Sequence, residues 1–202
     1  MAEANLIPAM GLTVLIDPAV PESQLALAPT RALISELDLL ATWLPVRSEL
    51  PKASSKRTET EYQARRRRAR EQNAAQNWQR YFSGLVPAPE GGPSVARAAL
   101  YWVHGRGDAG AFCEAMLHAV WVDGVAMEVA ARQALAAAGL EPGFAEFQKN
   151  ADSALDALEA EITELGLYRG PAYIVNGETF QGREHLPLMR WRLTGEVGSP
   201  PV

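Results

Sequence analysis

LTVLIDPAVPESQLA, residues 12–26, holds a strand, a turn and the start of a helix in close succession. Leu12 to Ile16 is an apolar run of strand length, closed by the turn pair Asp17-Pro18. A helix is expected to begin near Pro21, because proline suits a first helical position, where its missing N–H would be unpaired anyway. It should run from about Glu22 to Leu37, with Pro29 inside it removing a hydrogen bond and bending the axis. Leu39 to Leu44 reads as a second strand, parallel to the first through the helical crossover.

The other informative stretch is RGPAYIVNGETFQGREHL, residues 169–186. A Gly-Pro turn leads into a strand from Ala172 to Val175. Asn176-Gly177 is the strongest short-range hairpin signal, Thr179 to Gln181 forms the return strand, and a terminal helix follows.

Between these ends the chain reads as helical. A polar, charged helix is expected from Arg57 to about Ser83, then a Pro/Gly-rich loop from Val86 to Pro93. Val95, Ala98, Ala99 and Trp102 recur at helical spacing, as do Phe112, Ala115, Met116 and Ala119, giving two amphipathic helices split by Gly105 to Gly110. A further helix near Met127 to Ala138 stops at Gly139 and Pro142. One long helix is expected from Phe144 to Leu165, with Phe147, Leu155, Leu158, Ile162 and Leu165 on one stripe. No internal repeat is present.

The whole composition fits a globular domain. With 202 residues the chain can bury a sizeable core. A formal net charge of −5 gives no general attraction to nucleic acid or to an anionic membrane surface. The first residues, MAEANLIPAMG, lack a basic segment followed by an apolar one, and no apolar run approaches the ~18 residues of a membrane span. A cytoplasmic location is therefore expected. Cys113 is the single cysteine, so the chain has neither an internal disulfide nor a CxxC pair.

Together, the quoted stretches resemble the DsbA-like thioredoxin superfamily, in particular the branch containing kappa-class glutathione transferases and 2-hydroxychromene-2-carboxylate isomerases. In that branch the first strand ends in a pattern like D-x-x-S-P-x-S-x-L-A. Asp17, Pro21, Ser23, Leu25 and Ala26 match it, while Val20 stands at the catalytic first position. Gly170-Pro171-Ala172-Tyr173, Asn176-Gly177, Phe180, Gly182 and Glu184-His185-Leu186 are similar to the family's second motif. The resemblance implies an α/β architecture, a thioredoxin-like fold with an inserted helical domain. The thioredoxin part is expected over 11–47 and 144–194 and the helical insertion over 48–143, with 1–10 and 195–202 as flexible ends.

The resemblance also implies a site. Pro171 takes the place of the family's cis-proline, and Gly170 and Ala172 flank it beside the start of the first helix. In the relatives, glutathione lies between that helix and the proline loop, with its thiolate near a serine. A helix N-terminus favours such an anion. Ser23 is then the candidate catalytic hydroxyl, weighed against a serine that merely satisfies a backbone N–H. Val20 and Glu22 fall in the binding turn, where Glu22 could act as an acid or base or point to solvent. Glu184 and His185 occupy the positions that receive the glutamyl end, with histidine in place of a permanent cation.

Two readings follow. The first is a divergent glutathione-dependent transferase or isomerase acting on a small organic substrate, with glutathione or another low-molecular-weight thiol as cofactor and no metal. The second is a catalytically silent thioredoxin-fold binding protein. Thiol-disulfide oxidoreduction is disfavoured by the missing cysteines. The resemblance further suggests a homodimer. The arginine run Arg65–Arg68 with Arg70 reads as a solvated helix face or an interface rather than a nucleic-acid site, since Glu59, Glu61 and Glu71 flank it, and the resemblance leaves open an arginine at the cleft mouth that recognises an acidic substrate. Trp78, Tyr81 and Phe82 are candidates to line a substrate cleft. His104 and His118 show no ligand-like spacing.

Overall fold

A computed structural model describes residues 6–48, 61–86 and 89–201. Its four-stranded sheet has the order β2-β1-β3-β4, from strands β1 (Leu12–Ile16), β2 (Ala41–Pro45), β3 (Ala172–Val175) and β4 (Glu178–Gln181). β1 runs parallel to β2 and antiparallel to β3, and β3 and β4 form an antiparallel hairpin. Asn176 and Gly177 both have positive φ, 49° and 85°, as a tight Asn-Gly hairpin turn requires.

Alternation along the strands divides the core in two. Leu12, Val14 and Ile16 face one side with Trp43, Tyr173 and Val175, against α1 (Pro21–Glu36), α3 (Ser94–Val103), α4 (Ala109–Trp121), α5 (Met127–Ala137) and α8 (Leu186–Leu193). Leu15, Leu44, Ala172 and Ile174 face the other, against Leu158 and Ile162 of α7 (Ala151–Glu164). With both faces covered, LTVLI needs no polar alternation.

The first helix runs through Pro29 without a break. It presents Ser23, Ala26, Leu27, Thr30 and Leu33 to the interior and leaves Pro29 exposed. The polar helix is observed as α2 (Glu61–Tyr81); residues 57–60 of its expected span lie outside the described residues, as do 1–5, 49–60, 87–88 and 202.

Two expectations are corrected. The single helix over 144–165 is two, α6 (Phe144–Gln148) and α7. Phe147 stacks against Tyr101 and Trp102 at centroid distances of 5.9 and 5.2 Å, while Leu158 and Ile162 face the sheet. One straight stripe cannot meet both partners. Within the expected flexible start over 1–10, Leu6 and Ile7 are anchored. Ile7 is buried, and the N–H groups of Leu6 and Ile7 each donate to the Glu161 carboxylate at 3.1 Å. No described helix is long and apolar enough to cross a membrane.

Candidate functional site

The turn after β1 is held by its own aspartate. Asp17 is buried, and its carboxylate accepts from the N–H of Ala19 at 3.0 Å, the N–H of Ser48 at 2.7 Å and the guanidinium of Arg97 at 3.4 Å. Trp121 of α4 donates its indole N–H to the Pro18 carbonyl at 3.1 Å, fastening the turn to the helical layer. Below the Asp17–Arg97 pair, burial pushes the Glu159 carboxyl up, against the opposing pull of Arg47 and Arg97.

Val20 caps α1 in extended geometry, with no side-chain cap, and its side chain is buried. Ser23 lies one turn into the helix and is fully buried. Its hydroxyl accepts the N–H of Asp17 at 3.2 Å. The hydroxyl is thus engaged in closing the turn, and neither side chain is presented at a surface.

The Gly170–Pro171 peptide is cis, and it stands over the end of β1. A Cβ on Gly170 would come within 2.7 Å of the Asp17 backbone nitrogen and 3.0 Å of a Val46 methyl, so glycine is required by the closeness of the two chains. The Gly170 N–H donates to the Ser48 hydroxyl at 3.2 Å. The main-chain donor before the proline is therefore already satisfied from within the protein.

Beside this loop lies an open cleft of about 250 Å³, lined by Glu22, Arg169, Gly170, Pro171, Gln181, Gly182, Arg183 and Glu184. Of the residues singled out in the sequence, Glu22, Gly170, Pro171 and Glu184 meet here. Val20, Ser23, Ala172 and His185 do not line it: Ala172 is buried within β3, and the His185 ring lies near Phe180, at a centroid distance of 6.1 Å.

Two guanidinium groups bring permanent positive charge to the cleft. Arg169 pairs with Glu22 at 2.5 Å across the mouth of the cleft. Arg183 donates to the Leu25 carbonyl of α1 at 3.2 Å. The Glu184 carboxylate folds back over Gly182, whose φ of +100° and lack of a Cβ make room for it. Sequence reading passed over Arg169 and Arg183. Their signal was adjacency, one just before Gly170-Pro171 and the other just before Glu184.

The remaining candidates lie elsewhere. Trp78 and Phe82 pack on each other at 5.1 Å, and neither they nor Tyr81 lines the cleft. Cys113 is fully buried in α4, and burial pushes its thiol up, which keeps it protonated. Among the described residues no group of three or more His, Cys, Asp or Glu is placed to hold a metal ion.

A 2-hydroxychromene-2-carboxylate isomerase aligns over 93% of this chain and 99% of its own, with a TM-score of 0.64 at 16% identity. This chain has the DsbA-like thioredoxin fold. The cytosolic disulfide reductase DsbM from Pseudomonas aeruginosa, solved with GSH, aligns with the same DsbA-like fold over 92% of this chain and 98% of its own, with a TM-score of 0.57 at 18% identity. No protein-family model matches the sequence, and no curated protein matches it significantly. At these identities the likeness is one of fold, and the DsbA-like frame leaves the chemistry to be argued from the residues.

Proposed function

We propose that this DsbA-like protein binds a small peptide-like ligand, glutathione or another low-molecular-weight thiol, in the cis-proline cleft and does not itself cycle a disulfide. One observation carries the reading. The cleft keeps charged groups of both signs at its rim, while the two residues at the place of a catalytic thiol or hydroxyl, Val20 and Ser23, are withdrawn from it. A zwitterionic ligand suits that rim, its carboxylate toward Arg183 or Arg169 and its ammonium toward Glu184.

A second reading, a glutathione-dependent isomerase or transferase, is favoured by one feature: Glu22 places a carboxylate on the cleft at the start of α1, where an acid or base could serve a small substrate.

Calorimetric titration with reduced glutathione tests both. Binding that weakens in Arg183→Ala and in Glu184→Gln but not in Ser23→Ala supports the cleft. Conjugation of a chlorodinitrobenzene substrate that is lost in Glu22→Gln would favour the enzyme. Absence of heat and of any thermal shift with glutathione removes the ligand class proposed here.

A further inference from the structure

A second cleft, about 510 Å³, lies elsewhere and shares no lining residue with the cis-proline cleft. One wall is α1, with Arg31 and Ser35. The other is the turn from His104 to Gly110, and β2 with Trp43 runs between them. Gly110 lies so close to the floor that a Cβ there would come within 3.2 Å of the Trp43 indole and 3.1 Å of the Arg31 guanidinium.

β2 is the outermost strand of the sheet on this side. In a parallel ladder, alternate residues turn their backbone groups to the same neighbour. The Val46 N–H donates to the Ile16 carbonyl at 3.0 Å, so Thr42 and Leu44 face β1 with it. The N–H and C=O of Ala41 and Trp43 consequently face outward, and among the described residues no backbone group meets them. Natural edge strands are blunted by charge, by proline or by a covering segment. Leu39 to Leu44 carry no charge, the edge has a proline only at its last residue, Pro45, and Leu40 stands 95% exposed at the entrance.

We propose that the outer edge of β2 accepts an extended peptide segment of a partner protein as a fifth strand, with an acidic side chain of that peptide meeting Arg31. Strand addition supplies main-chain hydrogen bonds to Ala41 and Trp43, and the flanking walls read the side chains. Charge fixes the acidic preference. Arg31 is the one Lys or Arg among the described lining residues, and the anion there, Asp108, is set against the N-terminus of α4, accepting the Ala111 N–H at 2.9 Å. Arg31 is paired only at the surface, with Glu114 at 3.3 Å and side chains 38% and 61% exposed, a contact a peptide carboxylate can exchange at little cost. A second copy pairing edge to edge would bring its own 104–110 turn against this one.

The test is selection of displayed random peptides, about nine residues long, against the wild-type protein. Counter-selection uses Ala41→Pro, which removes one outward N–H from an edge position that tolerates proline. The winning peptide is then titrated against wild type, Ala41→Pro, Leu40→Lys and Arg31→Glu. The expected result is an alternating apolar peptide with an acidic residue, bound roughly tenfold more weakly by each variant. Leu40→Lys keeps the test decisive should the proline variant be poorly folded. Recovery of no peptide, or of one bound equally well by Leu40→Lys and Arg31→Glu, overturns the proposal. So does a wild-type dimer in light scattering that becomes monomeric in Leu40→Lys, which assigns the edge to a second copy.

Discussion

Arg183 fills the hydrogen bond that Pro29 withholds. In an α-helix the N–H of residue 29 would bond the carbonyl of Leu25; proline has none, and the Arg183 guanidinium takes that carbonyl at 3.2 Å. A helix irregularity on the outside of α1 thus fixes a cation at the rim of the cleft.

Replacing Pro29 by alanine restores the helical bond and releases Arg183. The expected outcome is a more stable protein, by about 1–3 kcal/mol from helix preference, with weaker ligand binding. Thermal denaturation and calorimetry read the two effects in opposite directions. Lower stability together with unchanged affinity would refute the coupling.

Ser23→Ala leaves the buried N–H of Asp17 without its acceptor. A cost of about 1–3 kcal/mol is expected in urea denaturation, while affinity for a cleft ligand stays as it was. A large loss of affinity without loss of stability would return Ser23 to a direct role.

Asp17, buried, and Arg97, partly buried, form a pair in which the carboxylate also holds Ala19 and Ser48. Removing the anion strands the guanidinium, so Asp17→Asn should destabilise by roughly 3–5 kcal/mol, whereas the double variant Asp17→Asn with Arg97→Met should recover part of that loss. A double-mutant cycle of unfolding free energies measures the coupling.

At Gly170 the obstacle is backbone, not a flexible side chain. Gly170→Ala should cost about 1–3 kcal/mol, because the proline loop must lift off the end of β1 to admit the methyl group. A melting temperature equal to that of wild type would contradict the closeness of these chains.

Tyr173 sets a limit at alkaline pH. Burial raises its hydroxyl to about 12, with the hydrogen bond to Thr30, 2.9 Å long, pulling the other way. The folded value lies above the unfolded one, near 10, so this contribution is fully present below pH ~10 and is lost as pH rises through 12. Absorbance titration at the phenolate band should find one of the five tyrosines resisting ionisation until that range, and Tyr173→Phe should remove the step.

The strands and the hairpin were legible because their signals are local: an apolar run, Asn-Gly, and Pro21 at a helix start. The β3 boundaries, Ala172 to Val175, were read residue for residue. The break between α6 and α7 was not legible, since it answers to Tyr101 and Trp102, aromatic side chains more than forty positions earlier in the chain. The site was half legible. Glu22, Gly170, Pro171 and Glu184 came from motif positions, whereas Arg183 is anchored to a carbonyl 158 positions away, which no spacing rule reports.

β1 occupies the middle of the sheet, yet its two neighbours come from opposite ends of the chain. Leu12 is paired with Ala41 on one side and with Val175 on the other. During synthesis the first partner, β2, emerges soon after β1, and the second, β3, only after the long stretch from Pro45 to Ala172 has been made. Until then an apolar strand waits with one ladder open, the kind of exposure that invites capture by another nascent chain or by a chaperone. A strand buried at every position in the finished molecule is thus the one left open while the rest is being made.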